Sequence, residues 1–589
     1  MKLLKEVLKN NIKYLIPLFV FTMVNIYFRL ENTSYIGTVV NDVMRLVSEN
    51  QPSEVVHSTL LDVALRMLGI CALISVAGLI SSLFASKISA AAGKHLRTKL
   101  FSKVMSFSMP EIDRFSVSGL ITRSTIDIVQ IQNVLFIVFT TALQVPFLIV
   151  GGIGSMMASK SGLSWTIALA SGLVILILGI VVLLIIKVVA NYQKKIDAIN
   201  TVTREALTGM QVIRAFNRDE WNENRIKTAS REFRDVNISF TRRMLIMEPS
   251  VYFVLNMINV LAIYIGSKRV ENGSISVGVI SAYTGYLYMI VIGVLMFGIS
   301  IFSIIRMFVS LRRINEIISV EPSITDGEMD IKRIDKKFRV EFKDVSFKYK
   351  EDGNYVVRDI NFTAESGKIT AIIGNTGCGK STLMNLIPRL YDATEGEILV
   401  GGVNVKDLKV QELRDIIGYV TQKAVLFTGN IEDNIEFGSD AEAKDIEEAI
   451  KTAQMDDFIK ANEKGLDYEI ARGGSNVSGG QRQRLSIARA LARNPKIYLF
   501  DDSFSALDYK TDAALRHELS SKIIDATVII VAQRVSTIMD ADQIIVMHDG
   551  EIVGKGNSSE LFKNCDYYRE IVKSQVSETE YERLLVENE

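Results

Sequence analysis

Six long apolar runs occupy the first half of this 589-residue chain, at about residues 14–28, 67–84, 134–157, 165–189, 251–265 and 277–305. The hydrocarbon core of a bilayer takes about 20 apolar residues of helix to cross, so the runs predict an α-helical domain of six membrane spans. An even number of crossings returns the chain to its starting side. Lys2, Lys5, Lys9 and Lys13 precede the first run, and Lys94, Arg97, Lys99 and Lys103 follow the second. That excess of positive charge marks cytoplasmic flanks. Residues 1–10 set leucines and a valine at helical spacing among lysines and read as an interfacial elbow helix. A signal peptide is the alternative, but the first run has no clear small-x-small cleavage site after it and is followed by Arg29 and Glu31. Composition agrees with the membrane reading, since 48% hydrophobic residues and a mean hydropathy of +0.22 are high for a soluble protein.

The second half reads differently. After Ile318, Glu321-Pro322 and a charged tract to Lys337 form a linker, residues 319–338. From Arg339 the sequence alternates as strands do, and we assign 339–575 to an α/β domain and 576–589 to an acidic tail. In this domain Gly374, Asn375, Thr376, Gly377, Cys378, Gly379, Lys380, Ser381 and Thr382 follow the apolar strand 369–373 and precede the helix-like run 383–387. The pattern and its context fit a phosphate-binding P-loop. Gly377 and Gly379 let backbone N–H groups close on phosphates, Lys380 reaches the β- and γ-phosphates of ATP, and Ser381 ligates Mg²⁺. A second apolar block, 496–500, delivers Asp501 to the carboxyl end of a buried parallel strand, where nucleotide sites of open α/β sheets lie. Asp501 would hold Mg²⁺ and Asp502 would orient the attacking water. Aspartate is one methylene shorter than the glutamate usual at that position. Its carboxylate falls roughly 1 to 1.5 Å short, and about 1 Å of misplacement costs on the order of 100-fold in rate.

With Ser478, Gly479, Gly480 and Gln481 the chain resembles the ABC transporter ATPases. Residues 374–382 match that family's Walker A, Gln422 its Q-loop, 478–481 its signature, 497–501 its Walker B, and Ser505, Ala506, Leu507 and Asp508 its D-loop. Tyr349 falls at its adenine-stacking position, with ordinary sheet packing as the alternative. The resemblance implies ATP and Mg²⁺ as ligands, with Asp501, Ser381 and Gln422 around the metal. It also implies a head-to-tail dimer in which each nucleotide lies between one subunit's Walker A and the other's signature. Two positions depart together. Gln533 stands where the family has a γ-phosphate-contacting histidine, and an amide carries no imidazolium charge and shuttles no proton. With Asp502, it makes this chain similar to the degenerate half of a heterodimeric exporter whose partner is a homologous half-transporter with a consensus glutamate and histidine. An active homodimer with an unusual site is the alternative. Arg472 replaces a glutamate ahead of the signature, which bears on coupling to the partner's loops.

The spans resemble the type IV exporter fold, in which helices continue into the cytosol and end in coupling helices. Helix-compatible polar sequence extends over 86–108 and 187–210, and we place coupling helices at about 111–119 and 212–220; solvated turns are the alternative. The domains are therefore expected to be a transmembrane domain at 1–318 and an ABC ATPase at 339–575, in a bacterial plasma membrane with the ATPase in the cytoplasm. Zero net formal charge, from 67 basic and 67 acidic residues, gives no nucleic-acid signal. Cys71, Cys378 and Cys565 lie too far apart in sequence to read as a metal or redox motif. For a substrate path the candidates are Glu248, a carboxylate beside Pro249 at membrane depth or at the membrane edge, and Tyr286, Met289 and Phe297, which either bind substrate or pack helices. Export of amphiphilic, multidrug-type molecules is the reading favoured; a lipid or peptide exporter is the alternative, and a soluble repair or translation ATPase is disfavoured by the spans.

Overall fold

The computed structural model describes residues 6, 9, 11–158, 162–331, 337–439, 441–522, 525–579 and 581–583. Most of the expected elbow helix, part of the linker and the end of the acidic tail lie outside these. The chain divides into two compact units, one of Met1–Met105 with Val117–Val320 and one of Ser106–Ser116 with Glu321–Glu589.

Among the described residues of the first unit, six helices are long and apolar enough to cross a membrane: α1 (Ile12–Ser48), α2 (Ser53–Met105), α3 (Val117–Ala158), α4 (Ser164–Thr208), α5 (Asp219–Glu271) and α6 (Val277–Ile318). At about 1.5 Å per residue, a helix as long as α2 spans more than twice a hydrocarbon core of about 30 Å. The surplus is polar, and it is joined by charge. Lys195 on α4 meets Glu232 on α5 at 2.6 Å, and Arg225 on α5 meets Glu205 on α4 at 2.8 Å. Within the apolar lengths, some polar side chains find partners across helices, which lipid favours. Thr22 and Ser81 hydroxyls lie 2.8 Å apart, and the Asn25 amide donates to the Ile74 carbonyl at 2.7 Å. Outside the apolar runs, the buried Asp127 carboxylate accepts from the Ser310 hydroxyl at 2.8 Å.

Two helices are irregular. α3 contains π turns at Arg123–Asp127 and Val138–Ala142. α5 breaks at Ile246, between Asp219–Leu245 and Met247–Glu271. Pro249 lacks an amide hydrogen and its ring crowds the carbonyl of Leu245, four residues back, which is where the first segment ends. In the region of the expected coupling helices the chain forms Met109–Phe115 and Met210–Ala215. Leu79, Leu83, Ile175, Leu176, Leu183 and Phe253 stand exposed along the spans, which suits a lipid-facing surface.

The second unit holds two main sheets. Strands β1 (Val340–Phe347), β2 (Val357–Ala364), β4 (Glu395–Val400) and β5 (Val403–Asn404) form an antiparallel sheet in the order β2-β1-β4-β5. Strands β3 (Ile369–Gly374), β6 (Ile417–Val420), β9 (Ile497–Asp501), β10 (Thr527–Val531), β11 (Gln543–His548) and β12 (Glu551–Gly556) form the larger sheet, ordered β12-β11-β3-β10-β9-β6. All its neighbours pair in parallel except the β11–β12 hairpin. A short ladder joins β7 (Gly429–Asn430) to β8 (Glu469–Ile470). Every residue of β9 and β10 is buried, as expected of central strands covered on both faces.

The helix Met109–Phe115 packs as part of this second unit. It opens on a Ser108–Glu111 capping box with Pro110 in its first turn. The Glu111 carboxylate also accepts from the Ser323 amide at 3.1 Å, and Asp113 accepts the Tyr391 phenol at 2.7 Å. Burial, with the Asp113 carboxylate beside it, pushes the Tyr391 phenol well above the usual tyrosine range.

Candidate nucleotide site

Parallel strands order the site. Because β3, β10, β9 and β6 lie side by side, the loops leaving their carboxyl ends converge on a cleft of about 310 Å³ lined by Lys380, Ser381, Gln422, Asp501, Asp502 and Gln533, among others. The turn after β3 requires glycines. A Cβ on Gly374 would lie 2.2 Å from the Met547 carbonyl oxygen, and Gly379, at φ +97°, caps helix α7 (Lys380–Leu386) in a left-handed conformation. The buried Lys380 ammonium donates to the Gly374 and Asn375 carbonyls at 2.6 and 2.8 Å, so the loop is held in a cradle with its cation inside. Thr376, Gly377 and Gly379 line the cleft beside that ammonium, and the Cys378 side chain is buried, 5% exposed, with its sulfur 3.7 Å from the ammonium.

Ser381 donates to the Asp501 carboxylate at 2.9 Å. Burial is the main reason the Asp501 carboxyl is raised above its ordinary value, with the Asp502 charge adding to it; Ser381, Lys380 and Tyr419 act in the opposite direction. A carboxylate and a hydroxyl brought together in a low-dielectric pocket fit Mg²⁺, which uses few protein oxygens and completes its shell with water and phosphate. Among the described residues no cluster of three or more His, Cys, Asp or Glu side chains is placed to hold a metal. Bound cation would favour the charged form of Asp501, offsetting its burial.

Asp502 is the most constrained residue here. Its backbone sits at φ +47°, a left-handed conformation that aspartate tolerates better than most residues. Its amide donates to the Val531 carbonyl at 3.0 Å, and its carbonyl accepts from the Ser505 hydroxyl at 2.9 Å. One carboxylate oxygen, Oδ2, accepts both the Gln422 amide at 3.0 Å and the Gln533 amide at 2.7 Å. Gln533 is itself fixed from the helix Asp566–Gln575. There Gln575 donates to the Gln533 carbonyl and accepts from the Val535 amide, both at 2.8 Å.

Tyr349 is half exposed, and its hydroxyl lies 3.1 Å from that of Thr382, with edge-on contacts to Phe347 and Tyr391. An aromatic face thus remains open beside the phosphate cradle, the geometry needed to stack on a base.

The signature residues lie apart from this cleft, at the start of α8 (Gly479–Ala492). Ser478 caps the helix. Its hydroxyl accepts from the Gln481 amide at 3.2 Å, and the Gln481 side chain accepts from the Ser478 amide at 2.8 Å. Gln481 is therefore spent on the cap, and the first-turn N–H groups of Gly479 and Gly480 point outward, as helix starts that receive anions do. Among the D-loop residues, Ala506 places its carbonyl 3.4 Å from where a Cβ on Gly480 would sit, Leu507 is buried, and Asp508 caps the following helix through the Thr511 amide at 3.0 Å. Arg472 is exposed in the turn Arg472–Gly474.

The substrate-path candidates separate. Glu248 is exposed on α5 just past the break. Tyr286 is buried, with its hydroxyl donating to the Leu30 carbonyl at 3.0 Å; Met289 is partly buried in the same packed cluster, and Phe297 is 37% exposed. Sequence reasoning did not single out Tyr419, whose phenol donates to the Asn385 side chain at 2.9 Å and acts on Asp501 electrostatically, or Gln575. Tyr419 carried a signal, being a polar-tipped residue near the end of a strand that leads into Gln422, whereas Gln575 carried none.

A P-loop cradle on a parallel sheet, in one chain with six membrane-crossing helices, defines a membrane-embedded ATPase of the transporter class. The ABC transporter transmembrane region matches residues 15–310 and the ABC transporter ATPase region matches 357–505. An uncharacterized ABC transporter ATP-binding protein of Mycobacterium tuberculosis is 34% identical over 531 residues, covering 88% of this chain and 90% of that protein. The ABC transporter ATP-binding protein YfiB of Bacillus subtilis is 35% identical over 510 residues, 86% and 88% of the two chains. In fold, the chain is similar to a bacterial Atm1-family ABC exporter solved with ATP bound, at a TM-score of 0.81 and 22% identity over 96% of this chain and 99% of that one. The chain belongs to the ABC transporter family. It is a multi-pass half-transporter of type IV exporter fold, with one transmembrane region and one ATPase domain, and as a half it works with a second such chain.

Proposed function

We propose that this half-transporter powers export of amphiphilic small molecules from a heterodimer, holding Mg-ATP in its own site while its signature completes the partner's hydrolytic site. The observation that carries the reading is the pair of amides on Asp502 Oδ2. A general base must present a carboxylate oxygen to water, and here the short side chain has one oxygen occupied by Gln422 and Gln533. Neither amide accepts or relays a proton at neutral pH. The apparatus for binding is intact: Lys380 in its cradle, Ser381 against Asp501, and the open face of Tyr349. The signature is intact too, with Ser478 capping a helix start whose amides suit a γ-phosphate.

The test is turnover of the chain alone in lipid, against the complex with its partner half. The expected result is slow phosphate release alone, despite nucleotide binding that Lys380→Ala removes, and fast release in the complex. Turnover by the lone chain at the rate of the complex refutes the division.

A further inference from the structure

The carboxylate that the fold sets on a cavity among the membrane helices is Glu31. Along α1, Tyr27, Glu31, Ser34, Thr38 and Asn41 follow at spacings of three and four, one face of a helix. That face lines a cleft of about 380 Å³ closed by α3 at Ser155 and Met156 and by α6 at Gly278, Ala282 and Tyr286. The volume is within the range of small-molecule pockets, about 300 to 1,000 Å³.

Its walls are pinned at two levels. Asn41 accepts from the Gly278 amide at 2.8 Å, and there α1 and α6 touch so closely that a Cβ on Gly278 would lie 1.9 Å from the Gly37 carbonyl oxygen. About three turns before Asn41 on α1, the Leu30 carbonyl accepts the Tyr286 phenol at 3.0 Å.

The charge in this cleft is uncompensated. Glu31 has no hydrogen-bond or ion-pair partner among the described residues, and no Lys or Arg lines the cavity. Arg29, two residues back, projects to nearly the opposite side of the helix. Seventeen residues past Tyr14, Glu31 lies about 25 Å along α1. With a cytosolic amino terminus that is the outer part of the bilayer, where a lone carboxylate is costly and marks a binding group by default. Tyr27 and Tyr286 add aromatic surface that attracts cations.

We propose that this cleft binds a monovalent organic cation with an apolar or aromatic body, Glu31 supplying the counter-charge. The proposal deepens the export reading by naming its substrate class, while the binding itself is a property of the cavity. Glu31 and Glu248 are both exposed in this single chain, but Glu31 lines the cavity, so the structure assigns to Glu31 the role for which the sequence offered Glu248.

The test uses the complete transporter, both halves, in phosphatidylcholine nanodiscs without nucleotide, and equilibrium binding of radiolabelled tetraphenylphosphonium. Saturable binding is expected, uncompeted by tetraphenylborate, the anion of the same shape. Glu31→Gln should weaken binding by about 10-fold or more, the loss of one close charge pair, while Glu31→Asp retains most of it. Tyr27→Ala should weaken it and Tyr27→Phe should not. Unchanged affinity in Glu31→Gln, or equal competition by the borate, overturns the proposal, as does an absence of saturable binding. ATP-driven efflux from proteoliposomes separates the two readings. Glu31-dependent binding without efflux leaves the site standing and removes the export reading, whereas efflux unaffected by Glu31→Gln does the reverse.

Discussion

Lengthening Asp502 should bring back hydrolysis at this chain's own site, and the structure sets how far. Asp502→Glu adds one methylene and moves the carboxylate roughly 1 to 1.5 Å toward the γ-phosphate, a displacement of the size that costs about 100-fold in rate, or about 2.7 kcal/mol of barrier. The gain is incomplete. Oδ2 now accepts from Gln422 and Gln533, and the longer side chain must give up one of these charge-assisted bonds, at about 1.5 kcal/mol. The remainder is about 1.2 kcal/mol, which predicts about an 8-fold rise for the single change. Adding Gln533→His frees the carboxylate of an amide and supplies a group that takes and returns a proton, worth about 100-fold where it operates. The double variant should therefore exceed the product of the two single effects. The assay must see this site alone. Gly480→Asp in this chain silences the partner's site by setting a negative charge at the helix start that faces its γ-phosphate, and phosphate release in that background reports the own site. Asp502 sits at φ +47°, where glutamate is less at ease than aspartate by about 1 kcal/mol, so melting temperature must be followed alongside. If Asp502→Glu with Gln533→His leaves release in the Gly480→Asp background unchanged while Mg-ATP still binds, the impairment has another cause.

In the intact complex, Gly480→Asp should abolish ATP hydrolysis, whereas Asp502→Asn should cost less than about 3-fold, since an asparagine oxygen still accepts from both amides; comparable losses would reject the division of labour. Mg-ATP retention at this site should weaken on acidification at a higher pH than an ordinary carboxylate would dictate, because burial raises Asp501 above 3.8 and a protonated carboxyl is a poor Mg²⁺ partner. Stability of the nucleotide-free domain should respond in the opposite sense. The folded state binds that proton more tightly than the unfolded one, so the contribution from Asp501 is fully present below 3.8 and is lost as pH rises through the raised value; chemical denaturation across acidic pH, compared with Asp501→Asn, measures it. Cys378, 5% exposed beneath the phosphate loop, should react with a bulky maleimide only on denaturation, and rapid native labelling by mass spectrometry would contradict its placement.

The elements that were legible from sequence are those whose chemistry is local. The P-loop's glycines, Lys380 and Ser381 are contiguous, and the S-x-x-Q of Ser478–Gln481 already spells a capping box, which the structure forms. The six spans announce themselves through runs of apolar residues. Contacts made by topology were not legible. Gln422, Asp502 and Gln533 meet only because β6, β9 and β10 stack in parallel with Val420 beside Phe500 and Asp501 beside Val531. No spacing in the chain encodes that order. Likewise Glu31 follows the first apolar run with Arg29 close by and reads as the polar end of a span. Only the packing of α6 against α1, down to Gly37 on Gly278, shows a cavity on its side of the helix. The π turns of α3 had no sequence signal, whereas the break in α5 has its cause in Pro249, read at first as the neighbour of a functional carboxylate.

One asymmetry ties these observations together. Ser478, Gly479 and Gly480, which on the proposed function complete a neighbouring site, match the signature pattern, and their helix start is capped by its own residues rather than left to await a partner. Asp502 and Gln533, the two positions that depart from the pattern the resemblance implies, meet through a single oxygen. Independent loss at positions 502 and 533 would leave each side chain to find its own surroundings. Instead the shorter acid is bonded by the amide that replaces the base, with Gln422 on the same atom and Gln575 bracing the loop from behind. Such a network stabilises a closed pocket with its ligand-binding groups in place, and a site of that kind contributes affinity more than rate. On the function proposed above, turnover then falls to the site that this chain would complete in its partner.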